Sequence, residues 1–191
     1  KKQYDKKILL TYFSPSVENS VKKLVETGAV DLALPAPFDT KSKISKFLQN
    51  FEPEELYIAR TDIWPEMLYQ ARKQQVKCKL FSATLADDNK KLASPLSRFL
   101  FRRLFSWIDL VHAVSPEDEK NFRKLDHQNV YTAGDIRYIQ AMYRIREKKE
   151  AFFSDERIRI IFGSTWPQDE QVILPAIPQL LNWKIQAILV P

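Results

Sequence analysis

The amino-acid sequence predicts an α/β fold with a doubly wound, mostly parallel sheet. Short apolar runs alternate with helix-spaced apolar stripes along the whole chain of 191 residues. The apolar runs are continuous more often than alternating, which is typical of parallel strands buried on both faces. A composition of 45% apolar and 28% charged residues is that of a soluble globular protein. Repeated strand–helix–strand units of this kind predict one sheet with right-handed crossovers.

Eight apolar runs are candidate strands. In chain order they are Ile8–Phe13, Asp31–Leu34, Leu56–Ala59, Cys78–Ser82, Leu110–Val114, Val130–Ala133, Arg159–Phe162 and Ile185–Val190.

Capping residues mark several helix starts between these strands. One helix is predicted behind Ser14-Pro15-Ser16 and before Gly28, and another behind the cap-like pair Asp39-Thr40. Ser115-Pro116-Glu117-Asp118 offers a capping serine, a first-turn proline and two carboxylates that the helix dipole favours.

A charged helical stretch, Met142–Asp155, predicts a domain boundary. Only a strand, a helix and a strand follow it, and these cannot bury a stable core alone. We therefore expect an N-terminal domain at residues 1–155 and the incomplete start of a second α/β domain at residues 156–191.

Composition excludes several classes of site. The three glycines rule out G-x-G-x-x-G and Walker loops, and the single Cys78 rules out an intrachain disulfide. No apolar run approaches the roughly 18 to 20 residues that span a bilayer. A net charge of +6 favours anionic partners such as phosphate-bearing substrates, nucleic acid or an anionic membrane face.

Four polar stretches follow predicted strands, and ligands of open parallel sheets bind at the carboxyl ends of strands. They are Ser14-Pro15-Ser16, Arg60-Thr61-Asp62, Gly134-Asp135-Ile136-Arg137 and Gly163-Ser164-Thr165-Trp166.

Each of these stretches has an ordinary structural interpretation beside the functional one. Asp62 is either a helix cap or a carboxylate exposed in a cleft, and Trp64 is either a packing residue or a substrate platform. The Ser164-Thr165 turn either caps a helix or binds an anion through its hydroxyls and free N–H groups. Arg137 either pairs with a phosphate or carboxylate or is a surface arginine.

The run from Ser94 to Trp107 differs in kind. Leu96, Leu100, Leu104 and Trp107 form one helical stripe, which Phe99, Phe101 and Phe105 widen. Arg98, Arg102 and Arg103 flank this stripe. A buried helix with one solvent-exposed edge would show this pattern, and so would a helix at a membrane interface.

Six stretches, taken in order, resemble the successive motifs of the Kdo transferases, the 3-deoxy-D-manno-octulosonic acid transferases of lipopolysaccharide synthesis. They are ILLTYFSPSVENS, LYIARTDIWPEML, KLFSATLADDN, DLVHAVSPEDEKNFRKL, VYTAGDIRYI and IIFGSTWPQDE. The most specific parts are the strand that ends in an acidic residue before x-W-P, and the G-S-T turn followed by an acidic pair.

The resemblance implies two Rossmann-like domains in the GT-B arrangement, with an N-terminal acceptor domain and a C-terminal nucleotide-sugar domain. It implies an inverting, metal-independent glycosyltransferase that needs no cofactor beyond its donor substrate. Kdo would pass from CMP-Kdo to a lipid A precursor of the lipid IVA type at the cytoplasmic face of the bacterial inner membrane. We expect an anionic membrane surface, but no nucleic acid, among its partners.

Site roles follow from the resemblance residue by residue. Asp62 stands at the catalytic acidic position, and Arg137, Ser164 and Thr165 stand at donor-binding positions. Ser14, Ser16, Arg60 and Trp64 are expected to bind the acceptor. The predicted membrane or lipid contacts are Arg98, Phe99, Arg102 and Arg103.

The chain departs from the family pattern at several positions. Asp62 replaces the usual Glu, and Arg60 stands where another acidic residue is frequent. Ile139 replaces a final Asp, Trp166 replaces His, Thr84 replaces the Arg of N-A-R, and Val17 replaces a Gly. The resemblance also implies that the catalytic-base glutamate and the anchor lie upstream of this chain and that most of the donor domain lies beyond Pro191. The chain alone is therefore expected to be inactive.

Two other functions remain open at the level of sequence. The departures at Thr84, Ile139 and Trp166 motivate a non-catalytic binding module or degenerate family member. Nucleic-acid binding is motivated by charge alone.

Overall fold

A computed structural model describes residues 6–60, 62–86, 94–147 and 156–190. All eight predicted strands form within these ranges, and each strand end lies within one residue of its predicted position. The strands are β1 (Leu9–Tyr12), β2 (Leu32–Pro35), β3 (Glu55–Ala59), β4 (Lys77–Ala83), β5 (Leu110–Ala113), β6 (Val130–Thr132), β7 (Arg159–Gly163) and β8 (Gln186–Val190).

Helices lie between most of these strands. A short 3₁₀ turn, Pro15–Val17, leads into the first α-helix. The α-helices are α1 (Glu18–Glu26), α2 (Lys41–Phe51), α3 (Pro65–Lys73), α4 (Pro95–Phe105), α5 (Pro116–Lys124), α6 (Ile136–Glu147) and α7 (Pro167–Asn182).

Every strand pairing in the described ranges is parallel. β1 pairs with β2, β3 to β6 form a four-stranded sheet in sequence order, and β7 pairs with β8. Because parallel neighbours require a crossover, each connection runs over a face of the sheet rather than through a hairpin. The predicted α/β class with a parallel sheet is confirmed.

Residue contacts divide the chain into two compact units, residues 1–139 and residues 140–191. The division falls inside α6. Residues 148–155, where the sequence predicts the domain boundary, lie outside the described ranges. The predicted domain limits of 1–155 and 156–191 therefore stay a prediction.

The hydrophobic core of the first unit gathers around β4, β5 and β6. Ile44 and Leu48 of α2 contribute to it, as do Leu68 of α3 and Phe122 of α5. Cys78 of β4 is fully buried in this cluster, and burial raises the pKa of its thiol to about 12. Cys78 is therefore a packing residue and an unreactive thiol.

The start of α5 follows the sequence prediction. The Ser115 hydroxyl accepts the Asp118 N–H at 3.1 Å, and an oxygen of Asp118 accepts the Ser115 N–H at 3.1 Å. This is a reciprocal capping box, which satisfies two N–H groups at the helix start.

Helix α2 begins directly after Asp39-Thr40, as predicted, but neither of these side chains caps it. Thr40 occupies its N-cap position and makes no side-chain capping bond. Asp39 instead accepts N–H bonds from Glu66 at 3.0 Å and Met67 at 2.8 Å, and thus caps α3. A side chain 27 residues before Glu66 therefore does the capping that local spacing assigned to Asp62.

The chain just beyond β4 is held to α5 by a buried peptide. The Leu85 N–H donates to Asp118 at 2.6 Å, and the Leu85 carbonyl accepts from the Asn121 amide at 2.7 Å. Asn121 is fully buried. Both backbone polar groups of the buried residue Leu85 thus find side-chain partners, as burial requires.

Helix α4 confirms only part of the stripe predicted from sequence. Leu104 and Trp107 of that stripe pack at the core, together with Phe101 and Phe105. Leu96 and Leu100 of the stripe are 68% and 57% exposed. Phe99 is exposed as well. Within the described ranges, no helix has the length and apolar character needed to cross a membrane.

Candidate functional site

The carboxyl ends of the first unit's strands bring together the polar residues that follow them. β3 ends at Ala59 before Arg60, and β6 ends at Thr132 before Asp135. The ring of Phe13, just after β1, lies 5.3 Å from that of Trp64, after β3. This edge of the fold is where a parallel sheet binds its ligands.

Asp62 lies exposed at this edge, between β3 and α3. No hydrogen bond or ion pair joins its carboxylate to any residue of the described ranges, and Thr61 lies outside them. The helix-capping interpretation of Asp62 is wrong, because Asp39 occupies the N–H groups at the start of α3. The Asp62 carboxylate is thus left available to a ligand.

Arg137 is tied to Asp135 by a close ion pair. Its Nη2 lies 2.5 Å and its Nε 2.9 Å from the same carboxylate oxygen of Asp135. The Asp135 side chain is 3% exposed, whereas that of Arg137 is 59% exposed. The hydrogen bond from Arg137, with a smaller contribution from Arg60, holds the pKa of Asp135 below its usual range. Asp135 therefore stays ionised and orients Arg137 with an exposed surface toward solvent.

Arg60 lies on a left-handed backbone with φ of 61°. Its N–H donates to the Phe81 carbonyl at 2.7 Å, which extends the pairing of β3 with β4 by one residue. A non-glycine residue in this region is uncommon and turns the chain sharply. The turn places two cations, Arg60 and Arg137, near the same buried carboxylate.

Ser14 and Ser16 are exposed after β1 and bond to each other. Their hydroxyl oxygens are 2.7 Å apart, and the Ser14 hydroxyl accepts the Ser16 N–H at 3.4 Å. Ser14 is the N-cap of the short 3₁₀ turn. The structure therefore gives these residues a local capping role, and their predicted acceptor contacts stay a prediction.

Trp64 belongs to a small aromatic cluster. Its ring contacts Phe13, and the Phe13 ring lies 6.3 Å from Phe38 in an edge-to-face arrangement. The ammonium of Lys43 lies 4.5 Å from the centre of the Phe38 ring. Trp64 is partly buried and stands at the N-cap position of α3.

The second unit contains the turn that follows β7. The N–H groups of Ser164 and Thr165 both donate to the Val190 carbonyl, at 2.7 and 3.4 Å. The Thr165 hydroxyl donates to Glu170 at 3.0 Å. The expectation of free N–H groups at Ser164 and Thr165 is therefore wrong. Arg137 lies in the first unit, and this turn lies in the second.

The predicted membrane contacts are distributed over two surface pockets. Arg98, Phe99 and Arg102 line a shallow pocket of about 190 Å³ with Pro95. Arg103 lies over the Trp107 ring at 5.5 Å and lines a second pocket of about 330 Å³. Arg102 is also paired with Asp126 at 3.0 Å.

Several residues of this edge were not identified as site residues from sequence. Phe13 and Phe38 follow β1 and β2, and their position after strand ends was the available signal. Ser82 accepts the Ile136 N–H at 3.2 Å and thus caps α6 from a neighbouring strand. Ser82 and Ile136 are far apart in sequence, so local residue spacing cannot predict this capping bond. Among the described residues, no group of three or more His, Cys, Asp or Glu side chains is arranged to hold a metal ion.

Comparison with known proteins identifies one family. The family described as 3-deoxy-D-manno-octulosonic-acid transferase (kdotransferase) matches residues 1–140. The chain is 27% identical over 148 residues to the 3-deoxy-D-manno-octulosonic acid transferase of Rickettsia typhi, covering 75% of the chain and 31% of that protein. It is 21% identical to the transferase of the same name from Aquifex aeolicus, over 97% of the chain and 47% of that protein. The chain thus spans about a third to a half of the length of these relatives.

Comparison with solved structures shows which fold this chain shares. A putative UDP-N-acetylglucosamine 2-epimerase from Listeria monocytogenes superposes with a TM-score of 0.61 at 13% identity, over 96% of this chain and 53% of that chain. Another UDP-N-acetylglucosamine 2-epimerase gives a TM-score of 0.59 over 95% of this chain and 63% of that chain. At such identities the likeness shows the fold alone. It confirms the predicted Rossmann-like, GT-B type of architecture.

Proposed function

Because the chain belongs to the 3-deoxy-D-manno-octulosonic-acid transferase family, we propose that the protein transfers Kdo from CMP-Kdo to a hydroxyl of a lipid A precursor. The observation that carries the proposal is Asp62. It follows β3 at the ligand-binding edge, at the acidic position of the family's x-W-P motif, and Asp39 takes the capping role that the position of Asp62 suggests.

The proposed reaction is a displacement at the anomeric carbon of the donor. The acceptor oxygen forms a bond to that carbon, the bond from the carbon to the CMP phosphate breaks, and the configuration inverts. The hydroxyl proton passes to a general base. Asp62 accepts a hydrogen bond from a neighbouring hydroxyl of the acceptor and thereby orients the attacking oxygen. No step in this proposal requires a metal ion.

Arg137 is proposed to stabilise the negative charge that develops on the departing phosphate. The Nε and Nη2 groups of Arg137 bond to Asp135, and these bonds hold the side chain in one conformation. Its remaining N–H groups therefore face solvent in a fixed orientation. The hydroxyls of Ser164 and Thr165 are proposed as further donor contacts. Thr165 must exchange its bond to Glu170 for one to the ligand.

The acceptor is an anionic glycolipid, and two features suit it. The chain carries a net charge of +6, and α4 presents Leu96, Phe99 and Leu100 to solvent beside Arg98. We propose that this face of α4 contacts the lipid surface at the cytoplasmic side of the inner membrane.

The test is an Asp62→Asn variant of the full-length protein, assayed with CMP-Kdo and lipid IVA. Asparagine keeps the shape of the side chain and removes its charge, so we expect kcat to fall about 100-fold. Glu26→Gln, at the exposed end of α1, is the control and should turn over normally. Undiminished turnover by Asp62→Asn would exclude the proposed role of Asp62.

A binding module without catalysis is the second candidate. The occupied N–H groups of Ser164 and Thr165, and the ion pair that engages Arg137, favour it. In that case, the unaltered full-length protein binds lipid IVA and CMP-Kdo but forms no Kdo-linked product. The same assay therefore distinguishes the two candidates.

A further inference from the structure

Three aromatic rings from three different segments meet at the ligand-binding edge. Phe13 follows β1, Phe38 follows β2, and Trp64 follows β3. The Phe13 ring contacts both of the others, at centroid distances of 5.3 Å to Trp64 and 6.3 Å to Phe38. We call these three residues the aromatic platform.

The exposure of the aromatic platform is not explained by packing. Phe13 and Phe38 are 60% and 61% exposed, and neither belongs to the hydrophobic core of the unit. Single exposed phenylalanines are ordinary, but touching rings form a contiguous apolar surface, and this one lies where a parallel sheet binds its ligands. Trp64 is held by the start of α3, so the platform rests on a regular element.

Positive charge borders the aromatic platform. The Lys43 ammonium lies 4.5 Å from the centre of the Phe38 ring, and Lys41 is two residues away in the first turn of α2. Neither lysine has an acidic partner within the described ranges. Asp39, the nearest carboxylate in sequence, is already bonded to two N–H groups of α3. The charge on this border is therefore available to an anion.

The chemistry of the platform specifies its ligand. A pyranose ring has one face of C–H groups, which packs flat on aromatic rings, and a phosphate monoester is attracted to unpaired ammonium groups. We propose that the aromatic platform binds a phosphorylated glucosamine ring of the glycolipid acceptor, with the sugar on Phe13 and Phe38 and the phosphate at Lys43. This inference rests on the proposed function and assigns the orientation of its acceptor next to Asp62.

The experiment measures saturation transfer from the full-length protein to N-acetylglucosamine 1-phosphate by NMR, with N-acetylglucosamine as the uncharged probe. Ring protons of N-acetylglucosamine 1-phosphate should receive saturation, and N-acetylglucosamine should bind more weakly. Phe38→Ala and Phe13→Ala should each weaken binding by about fivefold because an aromatic contact is lost. Lys43→Gln should weaken N-acetylglucosamine 1-phosphate binding about threefold and leave N-acetylglucosamine unaffected.

A matched control is Tyr143→Ala on α6, because Tyr143 is 61% exposed and lies outside the platform. Its binding should equal that of the unaltered protein, and circular dichroism should show every variant folded. The inference is overturned if no ring saturation is seen, if the Phe13 and Phe38 variants bind normally, or if inorganic phosphate competes for the site as well as an equal concentration of unlabelled sugar phosphate does.

Kdo transfer is read in a separate assay, so the two proposals fail separately. If Kdo transfer is retained but Phe38→Ala binds the sugar phosphate normally, the aromatic platform is contradicted and the transferase function is not. If the unaltered protein forms no Kdo-linked product but Phe38→Ala weakens its binding of the sugar phosphate, the proposed function is contradicted. The aromatic platform is then a sugar-phosphate binding site without transfer.

Discussion

Buried polar residues of the first unit show how single side chains determine the path of the chain. Asn121 is fully buried and reaches the Leu85 carbonyl, and His127 is almost fully buried at the end of α5. A buried polar group must be paired, because leaving it unpaired costs about 1–3 kcal/mol. Asn121 accordingly fixes Leu85, while His127 is subject to the cost of charging an imidazole inside the protein.

His127 should make the protein sensitive to mild acid. Burial lowers the pKa of His127, although a backbone bond near Asn129 opposes the shift. The unfolded chain then binds a proton more readily than the folded one, so stability is complete above the unfolded value of about 6.5 and falls as the pH drops below it. We expect the unaltered protein to lose on the order of 1 kcal/mol more than His127→Gln between pH 7.5 and pH 5.5. Urea unfolding at the two pH values measures this difference.

The pH range isolates His127 from the acidic groups. The carboxylates of Glu55, Glu119 and Asp135 have lowered pKa values, so their contributions are lost only below about pH 4.5. Equal acid sensitivity of the two proteins would show that burial of His127 carries no such cost.

Elements of this fold depend on bonds between segments that are distant in sequence. The clearest example is Asp39, which leaves α2 and caps α3 through the N–H groups of Glu66 and Met67. An aspartate in such a position satisfies two helix donors and also interacts favourably with the helix dipole.

Asp39→Ala should destabilise the first unit by about 1 kcal/mol, the usual contribution of a capping side chain. Thr40→Ala is the matched control, because Thr40 holds the N-cap position of α2 without a side-chain bond. Its effect should be only a few tenths of that of Asp39→Ala. Chemical denaturation of both variants gives the comparison. Equal losses for the two variants would contradict the capping of α3 by Asp39.

The strands could be predicted from sequence because short apolar runs bounded by turn residues, and alternating with helical stripes, are typical of strands in a parallel sheet. Ser115 could be predicted for a similar reason, since its capping box is closed within four residues. The cap of α3 could not be predicted, because it is supplied from the loop before α2. The buried face of α4 was predicted only in part, since Leu104 and Trp107 pack at the core but Leu96 and Leu100 of the same stripe are exposed.

At the scale of the whole molecule, sequence order predicted the family and the strand ends that carry its motifs. It did not predict which polar residues at those ends are already satisfied by other segments. Asp62 is left available because a remote aspartate caps α3, whereas Ser164 and Thr165 donate their N–H groups to β8. Such differences depend on contacts between strands, and these are absent from any local pattern.

The net charge of +6 and the exposed face of α4 lead to a prediction about lipid surfaces. Arg98→Gln should weaken binding to phosphatidylglycerol vesicles about fivefold, because each cation at an anionic surface contributes about 1 kcal/mol. Arg102→Gln should have a smaller effect, since Asp126 already neutralises Arg102. Phe99→Ser should weaken binding to anionic and to neutral phosphatidylcholine vesicles alike, because its contribution is apolar.

Co-sedimentation of the full-length protein with each vesicle measures these differences, with Lys120→Gln on α5 as the exposed-cation control. If Lys120→Gln matches Arg98→Gln, the attraction reflects net charge rather than contact by α4.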